Sequence, residues 1–493
     1  MKKKMIKKKL SNVKINYLLI IIIVSIPFIK AFFSFDFDND FWFTINQGRY
    51  VIESGFPTKA INSMHDINFI YQSWGSGVLY YLVYNYIGSF GVLLLLISVL
   101  ELISFFYYKL CLCVSNNKKA SLLITMVVSI IYSLYFFSTR PHIFTTLNVT
   151  IMLYLLEKYI KTSNRKYLYL LPVISLFQIN MHGIYFIILL VIMIPYLINA
   201  FKIKFLKIQE NGYIKKDLMI IFLLMCITGF INPYGFKTII YGFSSYESGS
   251  IMNNNISELL APNFHYIEGK IIIVLVITVY AIYMKTKKKI SLRYYLLLLG
   301  TSYLALDAKK SLWFFLFCTL FPLTMFLKKD EDVQEKKELS REFYILNTLF
   351  ILLIDFSLLT MVNTNKIPQI NNFMLYLDDH VINKEKMKLY VSFEDGSYAE
   401  WRGYNCYIDP RAEIFLKSNN GKADIFEEYI NMQKLKIDYE VFIKKYDFDY
   451  LLLNKKEDRL YYLFKINPLN YGEVFSDDNY SLYKKNSYME TKK

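Results

Sequence analysis

The sequence lacks the signatures of several large enzyme classes. It has no P-loop, no dinucleotide-binding glycine pattern, no His-Glu-x-x-His and no Gly-x-Ser-x-Gly motif. Nucleotide-driven transport and the usual soluble hydrolase chemistry therefore have no support. Its five cysteines are too few and too scattered for a disulfide framework. The last of them, Cys406, has no second cysteine in the tail with which to pair.

Polar residues are also too few for a soluble protein of this length. The chain has 493 residues, of which 54% are hydrophobic and 20% are charged. This balance favours an integral membrane protein. The formal net charge is +16, but the lysines stand beside apolar runs. Membrane lipids with anionic headgroups are therefore the expected partners of these lysines, and nucleic acid is not.

Six lysine-rich stretches predict the topology, because cationic loops stay on the cytoplasmic side of a membrane. They are Met1–Lys14, Asn116–Lys119, Lys161–Lys166, Lys202–Lys216, Lys285–Arg293 and Lys328–Arg341. The alternate loops then face outward. The first apolar run is interpreted as a retained anchor, because it is long and no small-residue cleavage pattern follows it. The amino terminus is therefore expected in the cytoplasm.

The apolar runs between these loops predict about eleven membrane-spanning helices, at roughly 20 residues each. They lie near 15–33, 86–113, 120–138, 143–160, 167–179, 183–201, 217–232, 270–284, 291–306, 311–327 and 343–362. An odd number of spans places the carboxyl terminus outside.

The predicted fold is thus an α-helical polytopic membrane domain, residues 1–362, with long outer loops at 34–85 and 233–269. Residues 363–493 are charged and predict a small extracytoplasmic α/β domain. Its expected strands and helices are Lys388–Phe393, Tyr404–Ile408, Tyr450–Leu453 and Tyr480–Tyr483, with Ala423–Lys434 and Tyr439–Tyr446.

Three carboxylates, Asp36, Asp38 and Asp40, directly follow the first span. Their spacing of two residues would place them on one side of an extended strand. Such crowding suits a general base, a metal ligand, or both. The alternative is a solvated start of a loop.

Cationic and polar groups occur at other predicted outer positions. Arg140 is either an interfacial anchor or a clamp for a phosphate, and His182 is either a helix cap or a phosphate or metal contact. Lys309 and Lys310 go against the positive-inside trend, which indicates that they meet an anion such as a lipid phosphate. Glu258 is a weak additional candidate.

Aromatic residues of the tail form a further candidate set. Tyr398, Trp401 and the segment from Tyr407 to Arg411 could present an aromatic surface to a sugar. A folded core with turn residues is the favoured interpretation of the same pattern.

In combination, these motifs resemble GT-C membrane glycosyltransferases, relatives of the protein O-mannosyltransferases and of bacterial lipid A glycosyl- and aminoarabinose transferases. The resemblance spans most of the chain and depends on the order of short motifs. They are Asp38-x-Asp40-x-Trp42, Gly48-Arg49, Gly55-Phe56-Pro57, Trp74, Arg140-Pro141, Asn180-x-His182-Gly183, Asn232-Pro233-Tyr234-Gly235, Glu258 with Pro262, Gly396-Ser397-Tyr398 and Tyr407-Ile408-Asp409-x-Arg411.

The resemblance implies an inverting transferase that takes a sugar from a polyprenyl-phosphate donor to an extracytoplasmic glycan, lipid or protein. Asp38 would be the base, and Asp40 or Asp36 would orient the acceptor or hold a divalent cation. The implied site residues beyond these acids are Arg140, Lys309, Lys310 and His182 for the donor phosphate, Trp42, Trp74, Glu258, Tyr398 and Trp401 for the acceptor or the structure, and Asp40 and His182 as possible metal ligands.

A bacterial plasma membrane is the expected location, in agreement with a lysine-, asparagine- and isoleucine-rich composition. Two other functions stay open. A flippase or polymerase-like protein would handle lipid-linked sugars without the base, and a non-catalytic scaffold would keep the fold alone. The sequence has Thr44, Ala60 and Ser73 near positions where such transferases usually have a histidine and acids, which keeps the scaffold in consideration.

The predicted sidedness can be tested by labelling with a membrane-impermeant thiol reagent. Single cysteines introduced near positions 38 and 400 of a cysteine-free variant should react in intact cells. A cysteine in the loop 328–341 should react only after the membrane is permeabilised. Shielding of the first two positions in intact cells would contradict the topology.

Overall fold

A computed structural model describes residues 2–200, 215–244, 251–286, 289–327, 361–364 and 367–486, with side chains from residue 16 onward. The chain is mostly helical, at 67%, and divides into two compact units. The helical unit comprises Met1–Asp36, Ile87–Phe236 and Asn255–Thr364. The sheet unit comprises Phe37–Tyr86, Lys237–Asn254 and Asn365–Lys493. Residues from both predicted outer loops thus fold together with the predicted tail domain.

Nineteen α-helices are numbered here along the described residues. They are α1 Lys2–Ser34, α2 Asn39–Ser54, α3 Trp74–Ser115, α4 Lys118–Phe136, α5 His142–Thr162, α6 Leu170–Met181, α7 Phe186–Asn199, α8 Lys215–Thr228, α9 Lys237–Ser244, α10 Ile251–Asn255, α11 Ile267–Lys285, α12 Leu292–Asp307, α13 Leu312–Thr319, α14 Asn371–His380, α15 Gly396–Trp401, α16 Lys417–Asn420, α17 Ile425–Gln433, α18 Tyr439–Tyr446 and α19 Arg459–Ile466.

Five segments of the described chain are long and apolar enough to cross a membrane. They are Asn16–Ser34, Trp74–Ser115, Lys118–Phe136, His142–Thr162 and Ile267–Lys285. This supports a polytopic helical membrane protein. Five other predicted spans correspond to shorter helices, α6, α7, α8, α12 and α13, of 8 to 16 residues. The predicted span 343–362 lies largely outside the described residues, so the count of eleven stays a prediction.

Helix α3 contains a break near the predicted start of its span. Gly88 has φ 76° and ψ −165°, a backbone conformation that glycine adopts without the penalty a side chain would bring. The 42-residue helix is therefore interrupted after its first 14 residues. The boundary between the two units falls at the same place, after Tyr86.

The helical unit contains a buried ion pair that joins three helices. Arg293 of α12 donates from Nε and Nη2 to the two carboxylate oxygens of Glu157 on α5, at 2.8 and 2.9 Å. The hydroxyls of Tyr196 on α7 and Tyr294 on α12 each donate to the same carboxylate at 2.9 Å. Both charged side chains are at most 5% exposed. An unpaired charge is costly in a buried environment, so each of these side chains offsets the cost of burying the other.

The sheet unit is built on five short strands in the order β2-β1-β3-β5-β4. They are β1 Lys388–Tyr390, β2 Asn405–Cys406, β3 Tyr450–Asn454, β4 Tyr471–Ser476 and β5 Tyr480–Lys485. Strands β2, β1 and β3 are parallel, and β3, β5 and β4 are antiparallel. The four predicted strands and the helices α17 and α18 are confirmed, whereas β4 was not predicted. An irregularity lies between Glu473 and Phe475 of β4.

The segment before α3 extends the sheet beyond β2. The amide of Met64 donates to the carbonyl of Cys406 at 3.0 Å, and the amide of Cys406 donates to the carbonyl of Asn62 at 2.9 Å. His65 Nε2 donates to the carbonyl of Tyr407 at 2.9 Å, and burial lowers the pKa of His65. The predicted first outer loop is therefore an integral part of the sheet unit.

The core of the sheet unit also contains a buried arginine. Arg411 is 2% exposed and bonds both Asp409, from Nε at 2.8 Å and Nη2 at 2.7 Å, and Glu400, at 2.9 Å. Its guanidinium lies 5.2 Å from the ring centre of Phe69 and 5.7 Å from that of Phe43. The tail motif that ends at Arg411 is thus a structural core, as the favoured interpretation predicted.

Removing one partner of the buried pair should destabilise the protein far more than removing one partner of a surface pair in the same unit. Arg293→Met leaves the carboxylate of Glu157 without its counter-ion, which should lower the free energy of unfolding by about 3–5 kcal/mol. The matched control is Arg165→Met, since Arg165 bonds Asp217 at 2.7 Å but is 57% exposed, and this change should have no measurable effect. Denaturant unfolding in lipid-detergent micelles measures both, and equal losses would contradict the assignment.

Candidate functional site

The acids of the predicted first outer loop lie at or just before the start of α2. The Asp38 carboxylate caps this helix by accepting from the amide of Phe41 at 3.0 Å, and Asp40 lies in the first turn. Asp36 is exposed in the segment before the helix. The prediction of three acids along an extended strand is therefore wrong. An aspartate that caps a helix favours helix over strand, because its carboxylate satisfies an amide that would otherwise lack a partner.

Aromatic side chains form a cluster between α2 and α15 of the sheet unit. The ring of Trp42 lies 4.8 Å from that of Tyr398 and 6.5 Å from that of Trp401. Arg49 covers Trp401, with its guanidinium carbon 4.4 Å from the ring centre. Trp42 and Tyr398 are buried, at 5% and 7% exposed, whereas Trp401 is half-buried. Trp401 is therefore the most exposed of these three rings.

Two other predicted residues of this unit have structural neighbours. Trp74 packs edge-on against Phe56, with ring centres 5.3 Å apart. The hydroxyl of Tyr398 donates to Asn371 Oδ1 at 2.6 Å. Gly48 allows α2 to approach α3, because a Cβ at this position would lie 2.1 Å from the carbonyl oxygen of Gly77. These contacts account for several motif residues without a ligand.

A cationic group lies at one end of the helical unit. Arg140 Nη1 donates to Glu258 Oε2 at 2.6 Å. The amide of Lys310 donates to the carbonyl of Glu258, and that of Lys309 to the carbonyl of Leu260, both at 3.1 Å. Three segments that connect helices, far apart in sequence, thus lie close together at this end of the helical unit. We call Arg140, Lys309, Lys310 and Glu258 the cationic cluster.

Electrostatics in the cationic cluster keep Glu258 ionised. Burial raises the pKa of this carboxyl, but the charges of Arg140 and Lys310 outweigh that effect and hold the pKa below its usual value. Lys309 Nζ lies 3.6 Å from Glu268 Oε2, so this lysine also faces an acid. Arg140 and Lys310 thus both stabilise the negative charge of Glu258.

His182 lies at the break between α6 and α7, close to this cluster. Its Nδ1 is 2.8 Å from the hydroxyl of Thr145 on α5. The side chain of Gln178 donates to the same hydroxyl at 3.0 Å and to the carbonyl of His182 at 2.8 Å. His182 is 9% exposed, and burial, more than the charges of His142 and Lys310, lowers its pKa. It is therefore more than a helix cap, since its ring has a buried hydrogen-bond partner.

The two asparagine motifs have structural roles. Asn180 Nδ2 donates to the carbonyls of Leu176 at 2.9 Å and Ile231 at 3.0 Å. Asn232 accepts from the amide of Tyr234 at 3.0 Å and donates to the carbonyl of Gly235, also at 3.0 Å. Gly235 has φ 58°. The turn predicted at this motif is confirmed, and Asn180 anchors it to α6.

A metal centre is not evident from the arrangement of ligating residues. Among the residues that the structure describes, no three histidine, cysteine, aspartate or glutamate side chains are grouped so that they could hold an ion. Asp40 belongs to the sheet unit and His182 to the helical unit. The suggested roles of Asp40 and His182 in metal binding stay predictions.

Two buried networks were missed by the sequence reasoning. Glu157 with Arg293, and Thr145 with Gln178 and His182, were not predicted. Glu157 lies near the end of an apolar run, where a charge also fits a solvated helix terminus. A signal did exist in α5, where the polar residues Thr145 and Asn148 interrupt an apolar run at a spacing of three, which places them on one helical face.

Taken together, these features describe a mostly helical chain with five helices long and apolar enough to cross a membrane, and with a compact sheet unit. No family model matches the sequence, and a search of curated proteins finds no similar one. The resemblance to GT-C glycosyltransferases therefore stays a prediction from the motifs.

The balance of charge in the cationic cluster can be tested with an anionic probe. Glu258→Gln removes the acid shared by Arg140 and Lys310, so affinity for a short-chain isoprenyl phosphate should rise several-fold at low ionic strength. Arg140→Gln should lower it. Equilibrium binding to the purified protein measures both, and equal affinities of both variants and the wild type would show that this cluster does not bind anions.

Proposed function

We propose that the chain is an integral membrane glycosyltransferase that transfers a sugar from a polyprenyl-phosphate donor to an extracytoplasmic acceptor, with inversion. The observation that carries the proposal is the cationic cluster with His182 beside it. Separate connections of the helical unit contribute Arg140, His182 and Lys310 to one end of the bundle. Positively charged and hydrogen-bonding side chains at the end of apolar helices suit a phosphate on a lipid tail.

The chemistry of transfer needs positive charge at the leaving group. The bond between the anomeric carbon and the phosphate oxygen breaks, and the electron pair stays on the departing polyprenyl phosphate. Arg140, Lys309 and Lys310 would stabilise the charge that develops there, and His182 would add a hydrogen bond. The lipid tail of the donor would lie among the apolar helices.

The acceptor hydroxyl must lose its proton as it attacks the anomeric carbon. Asp38 is the proposed base and would receive that proton while the new glycosidic bond forms. In the structure Asp38 lies at the amino end of α2, where its carboxylate caps the helix. Asp40 or Asp36 would orient the acceptor or hold a divalent cation.

The aromatic cluster supports a carbohydrate acceptor. Trp401 is half-buried beside Trp42 and Arg49, and an aromatic face of this kind packs against the apolar face of a sugar ring. Trp42 and Tyr398 would support Trp401 from behind, and Trp74 and Glu258 would act structurally. A cell-surface glycan, lipid or protein could each present the acceptor hydroxyl.

The proposal predicts donor turnover by the purified protein and its loss in one variant. Wild-type protein incubated with a synthetic polyprenyl-phosphate sugar should release polyprenyl phosphate. Asp38→Asn should lower the rate by at least about a hundredfold, since asparagine accepts no proton but can still cap α2. The matched control is Asp66→Asn, since Asp66 is an exposed acid of the same unit paired with Lys59 at 2.5 Å, and it should retain full activity.

Other outcomes separate the alternative functions. Full activity of Asp38→Asn would reject this residue as the base. Absence of donor turnover would favour a scaffold, whereas intact movement of the donor across a proteoliposome membrane would identify a flippase.

A further inference from the structure

We infer that a buried hydrogen-bond chain from Asn148 through Gln178 and Thr145 holds His182 as the Nε2–H tautomer, so that a neutral imidazole presents one donor to a phosphate oxygen. The assignment of a phosphate as the ligand rests on the proposed function, whereas the assignment of the tautomer does not. Thr145, Gln178 and Asn148 are then positioning residues, and His182 is the contact residue.

The carbonyl of His182 fixes the orientation of Gln178. A carbonyl oxygen can only accept, and the Gln178 side-chain atom 2.8 Å from it must therefore be the amide nitrogen. The second hydrogen of that nitrogen points to the hydroxyl oxygen of Thr145 at 3.0 Å. Both donors of Gln178 are thus used, and its oxygen remains an acceptor.

Asn148 donates a hydrogen bond to the side-chain oxygen of Gln178. Its Nδ2 donates to Gln178 Oε1 at 2.8 Å. Asn148 is 3% exposed and Gln178 is fully buried, so water does not compete freely for these bonds. The amide of Gln178 is therefore held from both ends.

The hydroxyl of Thr145 transmits this orientation to the imidazole. Its oxygen accepts from Gln178, and the nearest further partner, His182 Nδ1, lies at 2.8 Å. The neighbouring threonines of α5 differ, since Thr146 and Thr150 donate to backbone carbonyls one turn earlier, at 3.1 and 2.7 Å. Among the described contacts, Thr145 bonds no such carbonyl, so its proton goes to Nδ1. A ring nitrogen that accepts carries no hydrogen, and the proton of the neutral ring lies on Nε2.

The surroundings of His182 favour the neutral ring and leave Nε2 for a ligand. The side chain is buried, and the charge of Lys310 opposes a second cation beside it. Tyr185 packs against the imidazole, with ring centres 4.7 Å apart, and limits its rotation. Within the described part of the chain, Nε2 has no protein hydrogen-bond partner. A fixed N–H donor is complementary to a phosphate oxygen.

The tautomer can be read directly from the protein. The chain has five histidines, so ¹⁵N-histidine labelling gives few signals, and His182→Asn assigns the one of interest. In the wild type, Nδ1 of His182 should show the shift of an unprotonated nitrogen and Nε2 that of a protonated one. Thr145→Val, which keeps the shape but removes the hydroxyl, should move both shifts toward averaged or exchanged values. Thr145→Ser should restore them.

Thr150→Val is the matched control. Thr150 is also fully buried on α5 but bonds only its own helix, so this variant should keep the wild-type shifts. Circular dichroism and the unfolding midpoint show whether each variant is folded. Wild-type shifts in folded Thr145→Val, or a protonated Nδ1 in the wild type, would overturn the tautomer.

The ligand is tested separately by binding. Thr145→Val should weaken binding of a short-chain isoprenyl phosphate by roughly tenfold, the effect of one hydrogen bond to a charged group, and Thr145→Ser should bind as the wild type does. Inorganic phosphate should compete poorly; equal competition would assign the site to free phosphate and contradict the lipid-linked ligand. Unchanged affinity together with a changed tautomer would overturn the phosphate contact and leave the tautomer in place. If the wild-type protein binds the isoprenyl phosphate but does not turn over the sugar donor, the result would count against the glycosyltransferase proposal alone.

Discussion

The carboxylate of Glu157 and the guanidinium of Arg293 neutralise each other where water is largely excluded, and the packing of α5, α7 and α12 depends on that pairing. Two tyrosine hydroxyls complete the coordination of the carboxylate. The free-energy cost of burying an unpaired charge is far larger than the gain from any single apolar contact. The helices must therefore meet in the register that brings these side chains together. The polar chain that ends at His182 starts from the same helix, α5, so its geometry depends on this register too.

Local patterns predicted those parts of the fold that depend on neighbouring residues. The turn at Asn232 follows from an asparagine that bonds its own backbone and a glycine with positive φ. Strands β1, β2, β3 and β5 follow from short aromatic and aliphatic runs. Strand β4 begins Tyr-Gly-Glu and has only its first residue buried, so no apolar pattern indicates it. Helix α2 was missed because the acids around it were interpreted by their spacing, whereas Asp38 acts by capping.

Only part of the candidate site could be predicted from local sequence patterns. Residue type and loop position were enough to single out Arg140, His182, Glu258 and Lys310, and the structure places these four in the helical unit. Their mutual contacts depend on packing between distant elements, such as those of Arg140 and Glu258, which are 118 residues apart, and no local pattern contains this information. Buried partners such as Gln178 look like ordinary polar interruptions of a helix until the acceptor that fixes them is known. The side chains that position a functional group were thus harder to predict than the group itself.

The edges of the sheet affect how readily the protein can associate with other copies of itself. Strand β2 has only two residues, and the segment around Met64 supplies its outer hydrogen bonds. At the opposite margin, β4 is distorted between Glu473 and Phe475 and carries charge. An open, regular strand would be a template for joining molecules edge to edge, and neither side of this sheet offers one. Crowding in the plane of a bilayer would otherwise make such assembly a constant hazard for a domain of this kind.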